Sequence, residues 1–116
     1  MLSAKHRLRK KKEIDKVFKN GRSFKEGCLI LKTMKNDLAF CRFAFVVSKK
    51  VSGKAVVRNR IRRKIREAVR LNWQDCQPGT DNLFIVLPAL AKEENLAKAE
   101  ENVLNLLNLS QAKQNV

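Results

Sequence analysis

Between Lys49 and Arg70 the chain places ten basic side chains: Lys49, Lys50, Lys54, Arg58, Arg60, Arg62, Arg63, Lys64, Arg66 and Arg70. Arginine dominates from position 58 onward. A guanidinium is planar, stays charged, and offers a rigid fork of donors that matches two phosphate oxygens at once, so this choice over lysine points to anion recognition rather than mere solubility. Asn59, set between Arg58 and Arg60, can donate and accept together and suits a sugar hydroxyl or a base edge; the alternative is a local cap or brace. Gly53, just before the basic run, could allow a turn closed to other residues and leave backbone N–H groups facing an anion.

The same stretch keeps an apolar stripe. At about 100° per residue, Val57, Ile61, Ile65, Ala68 and Val69 fall on one side of a helix, while Asn59, Arg62, Arg63, Arg66 and Arg70 gather on the other. A solvated charged face would balance its signs. Here only Glu67 opposes the cations between Val56 and Arg70, so the repulsion calls for a polyanion from outside, and nucleic acid fits best.

A search for catalytic chemistry is nearly empty. Glu13, Asp15, Glu26, Asp37 and Glu67 form no spaced pair suited to two-metal phosphoryl chemistry, and the one histidine, His6, lies in a basic arm. Glu93, Glu94, Glu100 and Glu101 read as the solvated face of a late helix. Cys28, Cys41 and Cys76 show no C-x-x-C spacing, so no zinc site is expected; Cys28 and Cys41 read as buried, reduced thiols of a reducing compartment.

Composition sets the frame for these residues. The chain of 116 residues fits one domain over 1–116 with a real core. Its net charge of +15 is uneven: residues 1–72 hold 23 Lys+Arg against 5 Asp+Glu, a net +18, and residues 73–116 hold 3 against 6, a net −3. The binding surface therefore belongs to the first two thirds. A membrane surface is a poor partner, because the basic helix carries only Ile, Val and Ala opposite its charges. Met1–Arg7 lacks the apolar core of a signal peptide, and Leu83–Ala91 contains Pro88 and is too short to span a bilayer, so a soluble, cytoplasmic protein with no small-molecule substrate is expected.

The elements that must position the basic face can be read in outline. Residues 1–9, with Arg7 and Arg9, read as an extended, loosely ordered arm. Lys10 or Lys11 to Asn20 carries Ile14, Val17 and Phe18 at helical spacing, stopped by Gly21 as a C′ residue. Ser23–Met34 reads as a strand with Leu29 and Leu31 on one face and Cys28, Ile30 and Lys32 on the other. After the Lys35-Asn36-Asp37 turn, Leu38–Ser48 is a second strand region in which Phe43, Phe45 and Val47 make the better core face. The basic helix runs from about Ala55 to Asn72 or Trp73, with Trp73 packing at its end. Gln77–Thr80 breaks the chain, Asn82–Leu87 is a short strand, and Leu96, Ala99, Val103, Leu106 and Leu107 mark a last helix from about Lys92 to Leu109, before a polar tail at about 110–116. The class is α+β. The order is α, β, β, α, β, α, or α-β-β-β-α-β-α with the second strand region split. Ile14 and Phe18 are ordinary core on spacing alone, or one edge of a groove on which an unpaired base stacks.

The segment Lys54-Ala55-Val56-Val57-Arg58-Asn59-Arg60-Ile61-Arg62-Arg63-Lys64-Ile65-Arg66-Glu67-Ala68 resembles the signature of the bacterial ribonuclease P protein subunit. His6-Arg7-Leu8-Arg9, Lys16-Val17-Phe18-Lys19-Asn20-Gly21 and Phe45-Val46-Val47-Ser48-Lys49-Lys50 agree with the same family in order, so the resemblance covers about residues 5–107. It implies an α/β sandwich with a four-stranded sheet, order α-β-β-β-α-β-α, and a left-handed β-α-β crossover that general topology rules would not predict. It also implies a role beside a large catalytic RNA that removes the 5′ leader of precursor tRNA with Mg2+, the chemistry resting on the RNA and no catalytic or metal-ligating residue on this chain.

By position, the resemblance assigns Arg58, Asn59, Arg60, Arg62, Arg63 and Arg66 to the basic motif and Ile14, Phe18, Ile30 and Lys32 to a leader cleft; Lys54 and Arg70 at the ends of the basic helix, and Arg7 and Arg9 of the arm, join the RNA-binding candidates. Ile14 and Lys32 stand where relatives are often aromatic, and the chain has no Tyr. Less base stacking and more electrostatic grip are expected there. Two other classes compete: a small basic ribosomal protein, and a duplex DNA reader, which would want a helix-turn-helix partner just upstream where this chain offers strands.

Overall fold

Val17 is the one side chain that the first helix, α1 (Lys11–Asn20), buries fully, and the structure, a computed structural model, shows how little else that helix needs to do. The structure describes residues 6–72 and 79–114. The readings of Trp73, Cys76 and the Gln77-Pro78 part of the 77–80 break lie outside those residues. At the end of α1, Gly21 keeps an extended backbone, φ −71°, rather than the left-handed form expected of a C′ glycine. Its role is close approach: an added Cβ would stand 2.5 Å from the Val17 carbonyl oxygen, which accepts the Gly21 N–H at 2.8 Å.

Three strands follow: β1 (Arg22–Glu26), β2 (Leu29–Lys35) and β3 (Arg42–Val46). The expected division of the upstream strands falls in the first apolar stretch, not the second. Ser23–Met34 is a hairpin, because Gly27 takes φ +57° and Glu26 pairs with Leu29 across a two-residue loop; left-handed backbone at the first loop residue alone is the demand of a type II′ turn. Leu38–Ser48 contributes only its centre, Arg42–Val46, as strand.

The basic helix α2 (Ala55–Asn72) spans the residues its periodicity predicts. β4 (Thr80–Val86) then enters the sheet between β2, to which it is antiparallel, and β3, to which it is parallel, giving the order β1-β2-β4-β3. β3, α2 and β4 thus form the β-α-β unit. A short 3-10 turn (Pro88–Ala91), α3 (Glu93–Leu96) and α4 (Ala99–Gln114) complete the order α-β-β-β-α-β-α expected for the principal elements. The single last helix expected from Lys92 to Leu109 is broken around Ala97-Lys98, and helix continues through what was read as the start of a polar tail.

The register sorts the sheet into two faces. Phe24, Leu31, Phe84 and Phe45 line up across the four strands on one face, beside Leu29, Val86 and Phe43. This face packs on Ile61, Ile65, Ala68 and Val69 of α2 and on Ala99, Val103, Leu106 and Leu107 of α4 to make the main core. Burying side chains of this size contributes about 1.5–3 kcal/mol each. The opposite face is covered by α1 through Val17, with Leu8, Ala44 and Leu83 buried and Ile14, Met34 and Ile85 half-buried around them. Cys41 is buried, its Sγ 3.7 Å from Thr80 Oγ1; Cys28, expected to be buried, is half-buried.

Candidate nucleic-acid interface

The apolar stripe of α2 is fully docked, since Ile61, Ile65, Ala68 and Val69 are each no more than 3 % exposed, and that anchoring fixes the direction of every arginine. Asn59, Arg60, Arg63, Lys64 and Arg70 are exposed, as is Lys54 just before the helix. Arg58, Arg62 and Arg66, spaced by four, form a half-buried file along the flank. The first turn holds no acidic residue, so no carboxylate of that turn answers the positive end of the helix dipole.

Glu67, the one carboxylate that the sequence sets among these cations, pairs with the last of them. Arg70 is held by Glu67, which accepts from its Nε at 3.0 Å, and the pair drives the Glu67 carboxyl below its ordinary range and Arg70 above its own. Among the described residues this is the ion pair found on α2. Arg58 donates through Nη1 to the Ser52 carbonyl at 3.0 Å, closing the turn before the helix, and Arg62 donates through Nη1 to Asn59 Oδ1 at 2.7 Å. Asn59 therefore braces Arg62. Gly53 does not take the left-handed form suggested for it, and nothing lies within 4 Å of the position its Cβ would occupy; the turn is made instead by Ser52 Oγ, which accepts the Lys54 N–H at 3.2 Å.

The arm is where the structure departs most from expectation. From His6 onward it is docked rather than loose: Arg7 bridges Phe43 in parallel, the Leu8 N–H donates to the Phe43 carbonyl at 2.7 Å, the His6 Nδ1–H donates to the Cys41 carbonyl at 2.8 Å, and Leu8 is buried. Pairing to the free edge of β3 carries Arg7 and Arg9 to Arg62 and Arg66, the four lining one groove with Ile14, Phe43, Ala44 and Phe45. Arg66 stands over the Phe45 ring, its Cζ 5.8 Å from the centroid. Burial, followed by the charges of Arg7, Arg62 and Arg63, pushes the Arg66 guanidinium below its ordinary pKa. Charge that the folded chain itself disfavours is what an anion-binding groove presents.

On the α1 side, the sheet register lays Lys25, Ile30, Ile85 and Val46 in one row beyond the helix and Ser23, Lys32, Leu83 and Ala44 in the next. Ile30 and Ile85 are half-buried and Val46 is 36 % exposed, so this row is an apolar floor open to one side. Phe18 stands above the sheet, 50 % exposed. The Lys32 ammonium lies 4.3 Å from the Phe18 ring centroid and donates to the Phe18 carbonyl at 2.7 Å. Phe18 and Lys32 are thus in contact, Ile30 lies one row away on the same face, and Ile14 lies toward the arginine groove. Val46 and Ile85 were missed by sequence reasoning, since only the β3–β4 and β2–β4 registers place them beside Ile30.

Glu13 and Asp81 are both bound to Arg42. Among the described residues no group of three His, Cys, Asp or Glu side chains is placed to hold a metal ion, and no helix is long and apolar enough to cross a membrane. Three strands separate α1 from α2, so no helix-turn-helix precedes the basic helix.

The sequence matches the family model described as Ribonuclease P over residues 2–109. It is 44 % identical over 88 residues to the ribonuclease P protein component of Roseiflexus castenholzii, covering 75 % of this chain and 71 % of the relative. It is 39 % identical over 101 residues to that of Clostridioides difficile, covering 86 % and 87 %. Among solved structures, the RNase P protein of Thermotoga maritima superposes with a TM-score of 0.79 at 31 % identity, covering 89 % of this chain and 96 % of its own. The RNase P protein of Staphylococcus aureus shares the fold at a TM-score of 0.79 and 24 % identity, covering 90 % and 94 %.

Proposed function

The chain belongs to the ribonuclease P protein family, and from that premise we propose how its two surfaces divide the work of removing the 5′ leader from precursor tRNA. As the protein component of a ribonucleoprotein endoribonuclease, it partners the ribonuclease P RNA. In our reading residues 1–116 act as one RNA-binding domain. The α2 face, with Lys54, Arg58, Asn59, Arg60, Arg62, Arg63, Arg66 and Arg70, takes the RNA subunit, and Arg7 and Arg9 extend that surface across the groove. The floor of Ile30, Val46 and Ile85, with Phe18 above the sheet, Lys32 in the next row and Ile14 toward the arginine groove, takes the single-stranded leader, part stacked and part held by charge.

Hydrolysis rests on the RNA subunit, which uses Mg2+, while this chain binds, orients and screens repulsion between two polyanions. The observation that carries the proposal is the convergence of Arg7, Arg9, Arg62 and Arg66 on one groove whose lining, among the described residues, includes no carboxylate. The test mixes the purified chain with a catalytic ribonuclease P RNA and labelled precursor tRNA at low magnesium. Stimulated leader removal is expected; cleavage by the protein without RNA would overturn the assignment of chemistry.

A further inference from the structure

α1 has ten residues, below the roughly 12–15 at which an isolated helix becomes marginal in water. It carries Lys11, Lys12, Lys16 and Lys19 on a protein already strongly cationic, and Val17 is its one fully buried side chain. Packing alone therefore holds it weakly. Two polar contacts hold its ends. Near the C-terminus, Lys32 Nζ takes the Phe18 carbonyl at 2.7 Å. Near the N-terminus, Glu13 Oε2 meets Arg42 Nη2 at 2.7 Å.

Arg42 is itself a fixed post. Its Nε donates to Asp81 Oδ1 and its Nη2 to Asp81 Oδ2, both at 2.8 Å, so the guanidinium is gripped along one edge by a carboxylate of β4. Asp81 Oδ1 also accepts Asn36 Nδ2 at 2.8 Å. The Arg42 side chain is 17 % exposed and that of Asp81 10 %, so this part of the network is shielded from water, whereas Glu13 at 34 % is its accessible end. β4 also carries Ile85, part of the floor of the proposed cleft.

We propose that Arg42 is a positioning residue: by holding Glu13 against Asp81 it fixes α1 over the sheet, and with it the separation of Phe18 from the Ile30–Ile85–Val46 floor where the leader lies. This rests on the cleft reading given above. Arg42 touches no RNA; it acts through α1.

The test uses holoenzyme reconstituted with the catalytic RNA. Glu13→Ala removes the α1 end of the clamp, keeps a strong helix former, and leaves Arg42–Asp81 intact. KM for leader-bearing precursor is expected to rise about threefold to fivefold with kcat unchanged, Glu13→Gln falling in between. Affinity for the RNA subunit and inhibition by mature, leaderless tRNA are expected to stay the same. The sign is diagnostic, because deleting a carboxylate beside a polyanion would by itself strengthen binding. Equal changes for leader-bearing and leaderless RNA, or no change for either, would overturn the inference. Phe18→Ala separates the two levels: if it weakens leader binding while Glu13→Ala does not, only the positioning role falls, and if neither does, the cleft reading falls with it.

Discussion

The Lys32 ammonium covers one face of the Phe18 ring at 4.3 Å from its centroid while donating to the carbonyl oxygen of the same residue at 2.7 Å. A cation at this point meets both the aromatic quadrupole and the negative end of α1, so it is held by two attractions that do not depend on RNA. An ammonium with further donors beside an exposed ring offers a leader one phosphate contact next to one stacking surface. Lys32→Met is therefore expected to lower the steepness of leader affinity against salt by about 0.7 in log–log slope, the value of one single-strand phosphate, as read by fluorescence anisotropy. An unaltered slope would remove Lys32 from the binding surface.

Arg62 and Arg66 line the groove with Arg7 and Arg9. Replacing both with Ala should weaken binding to the RNA subunit and flatten its salt dependence by about one unit per arginine. Filter binding across a salt series measures both quantities.

Arg66 is also expected to trade stability for binding. A cation whose folded pKa lies below its unfolded value is disfavoured when charged, and below both values, which includes neutral pH, that penalty is fully present. Arg66→Met keeps an apolar chain over Phe45 and removes both the burial cost and the repulsion from Arg7, Arg62 and Arg63. The free protein should become slightly more resistant to urea, the gain kept small because water screens the repulsion, with less stabilisation by added salt than the parent shows. A loss of stability would contradict the cause assigned to the shift.

Glu67 occupies the Arg70 guanidinium, which belongs to the face proposed for the RNA subunit. Glu67→Gln frees Arg70, so affinity for the RNA subunit should rise and its salt dependence steepen by about one unit. If neither changes, Arg70 lies outside the contact.

Two glycines test the frame. Gly27→Ala meets a left-handed backbone at φ +57° and the Asn102 side chain 2.5 Å from the new Cβ, and should destabilise by about 1–3 kcal/mol. Gly21→Ala meets the Val17 carbonyl at 2.5 Å, a backbone atom already fixed by a hydrogen bond, and should cost about 2 kcal/mol or more. Chemical denaturation gives both values.

α2 was legible in outline because helix periodicity is a local property: Ile61, Ile65, Ala68 and Val69 recur at the spacing that buries one face, and the arginines follow on the other. The family could be recognised from the same stretch. The last helix misled for a related reason, since Leu96, Ala99 and Val103 keep an apolar spacing across the break that α3 and α4 make at Ala97-Lys98. The β1–β2 hairpin hid behind a two-residue Gly-Cys loop with no Pro, Asn or Asp to announce it.

The sequence by itself determined the basic face, its apolar anchor and the cations' lack of acidic neighbours apart from Glu67, because each depends on residue types a few positions apart. Only the tertiary structure decided that Arg7 pairs with Phe43 and so joins Arg66, that Ile30, Ile85 and Val46 form one floor, and that Glu13 and Asp81 share Arg42. The direct contacts behind those relationships join residues 29 to 55 positions apart, from Glu13–Arg42 to Ile30–Ile85, and no local periodicity carries that information.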